Sequence, residues 1–370
     1  MLIEADDLDD LTTGAVFLAT GGGGDPYVTL LATREVLRRY GPATLIKPEA
    51  LDDDALVVTI GGVGAPTVGL ELLPSENDVL VTLEAFEQRM GRTVDAVVSF
   101  EVGGGNSLIP IMAAAARGIP CVDGDGMGRA LPEAQMMTYA IAGVSPTPAV
   151  AVDYAGNRVT FDTDNTHTYE RHIRAMAQAM GGMITAAEHP MTGAELKAAI
   201  VPSTITFSIL LGRVLNAKHA NAVAAIGAMA PLFRDSIYGE LHHLFTGKVV
   251  DYSSRVEGGF DVGTAIVESF DGEGPTLELA VKNEFLVATI DGKVLASVPD
   301  LITILDFETA KPINAERLRF GQRVSVVAVG CPSHYRTTKA LSVVAPRAFG
   351  FDLDYHPVES LVDGHQLPPD

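Results

Sequence analysis

FEVGGGNSLIPIMAAAARGIPCVDGDGMGRALPE, residues Phe100 to Glu133, is the stretch around which the chain is organised. The mostly apolar run Asp95 to Phe100 predicts a short buried strand. It stops at Glu101, and Gly103, Gly104, Gly105 and Asn106 follow. Ser107 to Arg117 predicts a helix, with Ser107 as its N-cap and Gly118 as its stop. Ile119 to Val122 predicts a second strand, which also runs into acid and glycine, Asp123, Gly124, Asp125 and Gly126. Strand, helix and strand within about 30 residues form a βαβ unit, so the two strands should be parallel. Glu101 and Asp123 then share the carboxyl edge of one sheet, where open parallel sheets bind ligands. Glycines there let backbone approach a ligand closely. The plainer alternative is that the glycines only make turns and the acids only cap helices. The recurrence in two neighbouring strands favours a site.

Composition narrows the function classes. The chain has 370 residues, which suggests two or three domains. Hydrophobic residues make up 47%, enough for a large core. No apolar run reaches the roughly 18 residues of a membrane span. The start, MLIEADDLDDL, is acidic, unlike a secretory or transit leader. Two cysteines without a CxxC pairing fit a reducing cytoplasm. A net charge of −21 argues against nucleic acid and anionic membranes as partners. An anionic substrate would need a specific Arg, Lys or helix N-terminus.

Working outward, the apolar run Ala15 to Ala19 is read as a strand before the loop Thr20 to Tyr27, TGGGGDPY. Tyr27 to Tyr40 then predicts a helix ended by Gly41. The loop resembles a phosphate cradle, but it lacks the Gly-Lys-Ser/Thr of a P-loop. A dinucleotide fingerprint would need a further glycine where Pro26 or Tyr27 stands. Its backbone N–H groups remain suited to a small anion or a planar polar ring. Ala55 to Ile60 predicts a strand that ends in a third glycine crest at Gly61 to Pro66. Strands near residues 15, 55, 95 and 119 thus all feed glycine or acid loops, which is the pattern of a parallel α/β sheet.

Ala149 to Asp153 and Arg158 to Asp162 predict a hairpin, and Thr192 to Glu195 a capping box. Residues 166–245 read as a helical segment. After Phe245, short strands separated by turns such as Asp291-Gly292 indicate a β-rich sandwich or barrel-like domain. The expected division is an α/β domain over 1–245, a β-rich domain over 246–330, and a segment over 331–370 that returns to the first domain and ends in a loose tail.

Several groups carry candidate chemistry. Asp123 and Asp125 flank Gly124, and close carboxylates raise one another's pKa, so one suits a general base. Arg129 suits a bidentate clamp on a substrate carboxylate. A helix cap by Asp125 and a salt bridge to Arg129 explain the same residues. Glu101 and Asn106 together match an NH–C=O edge, and Asn106 also suits a helix cap. Asn283 and Glu284 interrupt an apolar strand pair, as a turn or as a contribution to the cleft between domains. Cys331 and His334 have the spacing of an activated nucleophile or half a metal site. No HExxH or GxSxG occurs. No cofactor is required by the sequence, and a divalent metal has no motif behind it.

Six blocks, in order and nearly spanning the chain, resemble one family. They are TGGGGDPY at Thr20, GGVGAPTV at Gly61, FEVGGGNSLIP at Phe100, DGDGMGRALPE at Asp123, KNEFLVA at Lys282 and PRAFGFDLDY at Pro346. Together they are similar to the S-methyl thiohydantoin desulfurase family, which accompanies hydantoinase and oxoprolinase proteins. The resemblance implies an α/β N-terminal domain and a β-rich C-terminal domain. It implies replacement of the exocyclic sulfur of a 2-thiohydantoin-type ring by water oxygen, with release of hydrogen sulfide or methanethiol. Ergothioneine breakdown, where the ring bears a propionate, is one such setting. It carries over no role for Cys331 and no metal site. The expected partners are a small heterocyclic substrate, further copies of the chain and a hydantoinase-type protein. The expected chemistry places Asp123, Asp125 or Glu101 as the base that activates water. Arg129 would hold a propionate. Backbone at Gly22, Gly23 and Gly24, or at Gly104 and Gly105 beside Asn106, would stabilise charge developing on sulfur. A non-catalytic ring-binding or scaffolding partner of a hydantoinase-type enzyme is the alternative.

Overall fold

The computed structural model describes residues 1–65, 68, 75–257 and 260–362. Pro66 of the third glycine crest, and the tail from Gln366, lie outside the described residues.

The first sheet contains β1 (Leu2–Ile3), β2 (Ala43–Ile46), β3 (Leu56–Gly64), β4 (Ala96–Ser99), β5 (Cys121–Asp125), β6 (Ala149–Val152), β7 (Arg158–Phe161), β8 (Met183–Thr192) and β9 (Val201–Pro202). Their order is β1-β2-β5-β4-β3-β8-β6-β7, with β9 beside β5. The four central strands, β2, β5, β4 and β3, are parallel. Val57, Val58, Val97, Val98 and Val122 on them are fully buried. Each contributes about 1.5–3 kcal/mol on leaving water. Strands buried on both faces read as unbroken apolar runs, which is why these were legible. Gly118 ends the Ile109–Arg117 helix in a left-handed conformation, as the βαβ reading requires.

Three sequence expectations change here. Ala15 to Ala19 is not a strand, because α1 (Leu8–Leu18) runs through it. Leu8, Leu11, Ala15 and Leu18 are buried at helical spacing. Gly14 lets α1 lie directly on the Thr204–Asn216 helix, since a Cβ there would stand 1.9 Å from the Ser208 carbonyl oxygen. Ser107 is not an N-cap; its hydroxyl donates back to the Gly104 carbonyl at 2.8 Å. Residues 166–245 are not wholly helical, because β8 lies within them and joins β3 to β6. Ala186, Ala187, Glu188, His189 and Pro190 are poor strand formers, so pattern alone hides it. β8 accommodates Pro190 through a register shift opposite Val57 and Thr59, with His189 at φ 47°.

The second sheet is antiparallel throughout. It holds β10 (Leu241–Glu257), β11 (Phe260–Glu268), β12 (Thr276–Lys282), β13 (Glu284–Ile290), β14 (Lys293–Ser297), β15 (Leu301–Asp306) and β16 (Arg323–Val329). Their order is β14-β13-β12-β11-β10-β16-β15. Leu277, Leu279, Ile302, Ile304 and Val326 fill its core.

The loop after α1 joins the two sheets. Phe285 N–H donates to the Thr20 carbonyl at 2.7 Å and Ala315 N–H to the Gly21 carbonyl at 2.8 Å. The Asn314 amide donates to the Gly24 carbonyl at 3.0 Å. The loop is therefore spent largely on docking the second sheet. Among the described residues no helix is long and apolar enough to cross a membrane.

Candidate functional site

A cleft of about 200 Å³ opens where the carboxyl ends of the parallel strands meet the β12–β13 turn. A cavity of about 150 Å³ already holds a benzene ring, so one small heterocycle fits. Glu101, Asn106, Glu188, Asn283 and Glu284 lie in its wall, with Gly23, Gly24 and Gly105.

The strand β4 ends at Ser99, and its hydroxyl ties the following loop by bonding the Glu101 and Asn106 carbonyls at 2.5 and 2.9 Å. The Asn106 oxygen accepts Gly62 N–H at 2.8 Å. That fixes the amide orientation, so its NH₂ turns to Glu101 Oε1 at 2.8 Å. Glu101 Oε2 makes no well-formed hydrogen bond among the described residues, although the Leu131 backbone N–H bears on the carboxyl. Gly104 sits at φ 53°, against the backbone of Gly23, where a Cβ would meet the Gly23 oxygen at 2.1 Å. That contact brings the two glycine loops together under the cleft.

Glu284 arrives from the other sheet. Asn283, at φ 60°, makes the turn, and Glu284 points inward with 2% exposure. Both readings of this pair hold, the turn and the cleft. A Cβ on Gly22 would stand 2.2 Å from Glu284 Oε1, so any larger residue must displace that carboxyl from its observed place. Glu284 Oε2 is also without a partner among the described residues. Burial pushes both carboxyls up to about 8, and the neighbouring Glu284 charge raises Glu101 further. The buried Arg129 guanidinium opposes part of the rise at Glu284. Two carboxyls with free oxygens, held near neutral pH, can take and give protons.

The other sequence candidates lie elsewhere. Asp123 accepts Thr206 N–H at 3.0 Å and its hydroxyl at 2.6 Å, and so caps the Thr204–Asn216 helix. Asp125 accepts the N–H groups of Met127 and Gly128, the latter at 2.5 Å, in a run of bends where no helix starts, so it closes a turn and is not the expected helix cap, and Arg129 makes no salt bridge with it. Both acids belong to the correct sheet edge but neither lines the cleft; Asp125 Oδ2 makes no well-formed hydrogen bond among the described residues, and burial pushes its carboxyl up to about 7. Arg129 is fully buried and donates to the Pro299 and Asp300 carbonyls at 2.7 and 2.8 Å and to the Thr20 hydroxyl at 2.9 Å. It joins the two sheets and has no face toward a ligand. The start of α2 (Tyr27–Tyr40) offers no open anion cradle, since the Asp25 carboxylate accepts Tyr27 N–H at 2.9 Å. Cys331 and His334 stand outside the cleft wall. Burial pushes the Cys331 thiol up to about 12, so it is no thiolate at neutral pH. Among the described residues no group of three His, Cys, Asp or Glu side chains has the arrangement of a metal site.

Glu188 escaped sequence reading altogether. It is 1% exposed, lines the cleft and accepts the Tyr169 hydroxyl on Oε2. Its only sequence signal was a charged residue among alanines ahead of a proline.

Fold and cleft define a class: a parallel α/β sheet docked on an antiparallel β sheet, with buried carboxyls from both halves facing one small cavity. The N-terminal domain model of the S-Me-THD-like family matches residues 6–163, and the C-terminal domain model residues 163–358. The chain belongs to the S-Me-THD-like family. A crystal structure of a protein from Chromobacterium violaceum shares the fold, with a TM-score of 0.80 at 24% identity, over 97% of this chain and 100% of that one. No curated protein matches the sequence.

Proposed function

We propose that this chain is a desulfurase that binds a 2-thiohydantoin-type ring in the cleft and replaces its exocyclic sulfur with oxygen from water. The observation that carries this reading is the pair Glu101 and Glu284, buried, each with a free oxygen, in a cavity sized for one ring. The S-Me-THD-like family membership supports the ring class.

The chemistry balances without a redox partner. The carbon between the two ring nitrogens is electrophilic. Water attacks it while an ionised cleft carboxylate takes the water proton. The tetrahedral intermediate carries negative charge on sulfur in a thione and on the ring nitrogen in an S-methyl ring, and the second, protonated carboxyl gives that atom its proton. The carboxylate so formed takes the hydroxyl proton as the C=O bond forms and the sulfur leaves, and the leaving sulfur takes up the proton held by the first carboxyl. A thione yields hydrogen sulfide and an S-methyl ring yields methanethiol. The base form requires ionisation of a group at about 8. Turnover should therefore rise with pH toward about 8 and fall again above it, as the second carboxyl also loses its proton.

Purified protein should release sulfide or methanethiol from members of a small thiohydantoin panel, with and without chelator. Ring binding without release would support a non-catalytic partner of a hydantoinase-type enzyme. Neither binding nor release across the panel would overturn the reading.

A further inference from the structure

The bulge in β8 places a third glutamate against the cleft. Thr59 Oγ1 donates to the Glu188 carbonyl at 2.7 Å, and the register shifts at this point. A bulge re-aims the side chains it carries. His189 follows at φ 47°, a conformation unusual for a residue with a side chain. Its imidazole is fully buried, and Nδ1 stands 3.1 Å from Glu188 Oε1. Neither ring nitrogen makes a well-formed hydrogen bond among the described residues, and Glu188 Oε1 makes none. Tyr169, from the Thr166–Ala179 helix, holds the other oxygen. Glu188 thus lines the cavity and keeps one buried oxygen, beside the His189 ring, that accepts no well-formed hydrogen bond.

We propose that Glu188 contacts the ligand, its free Oε1 accepting a ring N–H adjacent to the reacting carbon. Tyr169, which donates to the other oxygen, is the positioning residue. The assignment rests on the thiohydantoin reading above. The remaining charge around the cleft points the same way. Asp25, Asp78, Glu133, Asp153 and Glu170 also line it, against Arg174. Arg174 is already held by Glu170 at 2.6 Å and the Pro132 carbonyl at 2.7 Å. Such a wall suits a ring that donates N–H and offers little to an anionic substituent. N-methylation at the contacted nitrogen removes the donor and sets a methyl against an unpaired buried oxygen, and polar sites reject such analogues strongly.

Calorimetric titration of the full chain with 2-thiohydantoin and its N1-methyl and N3-methyl derivatives tests this. One derivative should bind at least about tenfold more weakly than the parent. Glu188→Met combined with Tyr169→Phe removes acceptor and donor together, so no buried hydroxyl is orphaned. It should bring that ratio to within about twofold. Tyr169→Phe alone keeps the acceptor and should keep the preference for the parent. A merely structural Glu188 would weaken all three ligands alike and leave the ratio standing. Should the double variant not fold, Glu188→Gln reads the same ratio, which should fall at least about threefold. Equal binding of all three by the unaltered protein, or an unchanged ratio in the variants, overturns the role of Glu188 and leaves the ring reading intact. No binding of any ring overturns both.

Discussion

Burying a carboxyl at Glu101 or Glu284 changes what pH does to this fold. Each holds its proton up to about 8 when folded, against 4.5 as the ordinary value. The folded state therefore binds more protons than the unfolded one between those limits. The stability these two groups contribute is fully present below about 4.5 and is lost as pH rises toward 8. Glu101→Gln and Glu284→Gln should raise the melting temperature by at least about 2 °C at pH 9 and change it little at pH 5. Differential scanning calorimetry at the two pH values checks this, and an equal shift at both would contradict it. Glu101 and Asn106 were legible because glycines beside a strand end mark a place where side chains face an open edge. Asp123 and Asp125 carried the same signal. The sequence does not say which N–H groups lie within reach, and Thr206, Met127 and Gly128 claim these two.

At the scale of elements, two glycines separate packing from chemistry. Gly14 is a contact between helices, backbone against backbone. Gly14→Val forces α1 off its neighbour and should cost at least about 2 kcal/mol in urea unfolding. Gly22 instead faces the end of the Glu284 side chain. Gly22→Ala can be met by moving that carboxyl, so stability should stay within about 1 kcal/mol while kcat falls at least about tenfold. Unfolding curves and steady-state kinetics on the one variant separate the two effects. The parallel strands, the hairpin and the capping box at Thr192 were legible because apolar runs and local caps decide them. α1 was missed because a short apolar run serves strand and helix alike. β8 was missed because its pairing, and not its composition, makes it a strand.

At the scale of the molecule, Arg129 carries the most weight. Its guanidinium joins the first half to the Pro299 and Asp300 carbonyls of the second, and it lies near Glu284. Arg129→Met should leave those buried carbonyls without their donor and destabilise the fold by at least about 2 kcal/mol. A stability within about 1 kcal/mol of the unaltered protein, by urea unfolding, would deny that it couples the halves. The two-part architecture was legible from the change of pattern after Phe245. The way the halves enclose one cavity was not, because it depends on the Thr20 to Gly24 loop docking through its carbonyls. The most direct test compares sulfide and methanethiol release by Glu101→Gln and Glu284→Gln with release by Asp123→Asn, each confirmed folded. Losses of at least about 100-fold are expected in the first two, with Asp123→Asn within about tenfold of the unaltered chain. Full turnover in both glutamate variants would place the chemistry outside this cleft.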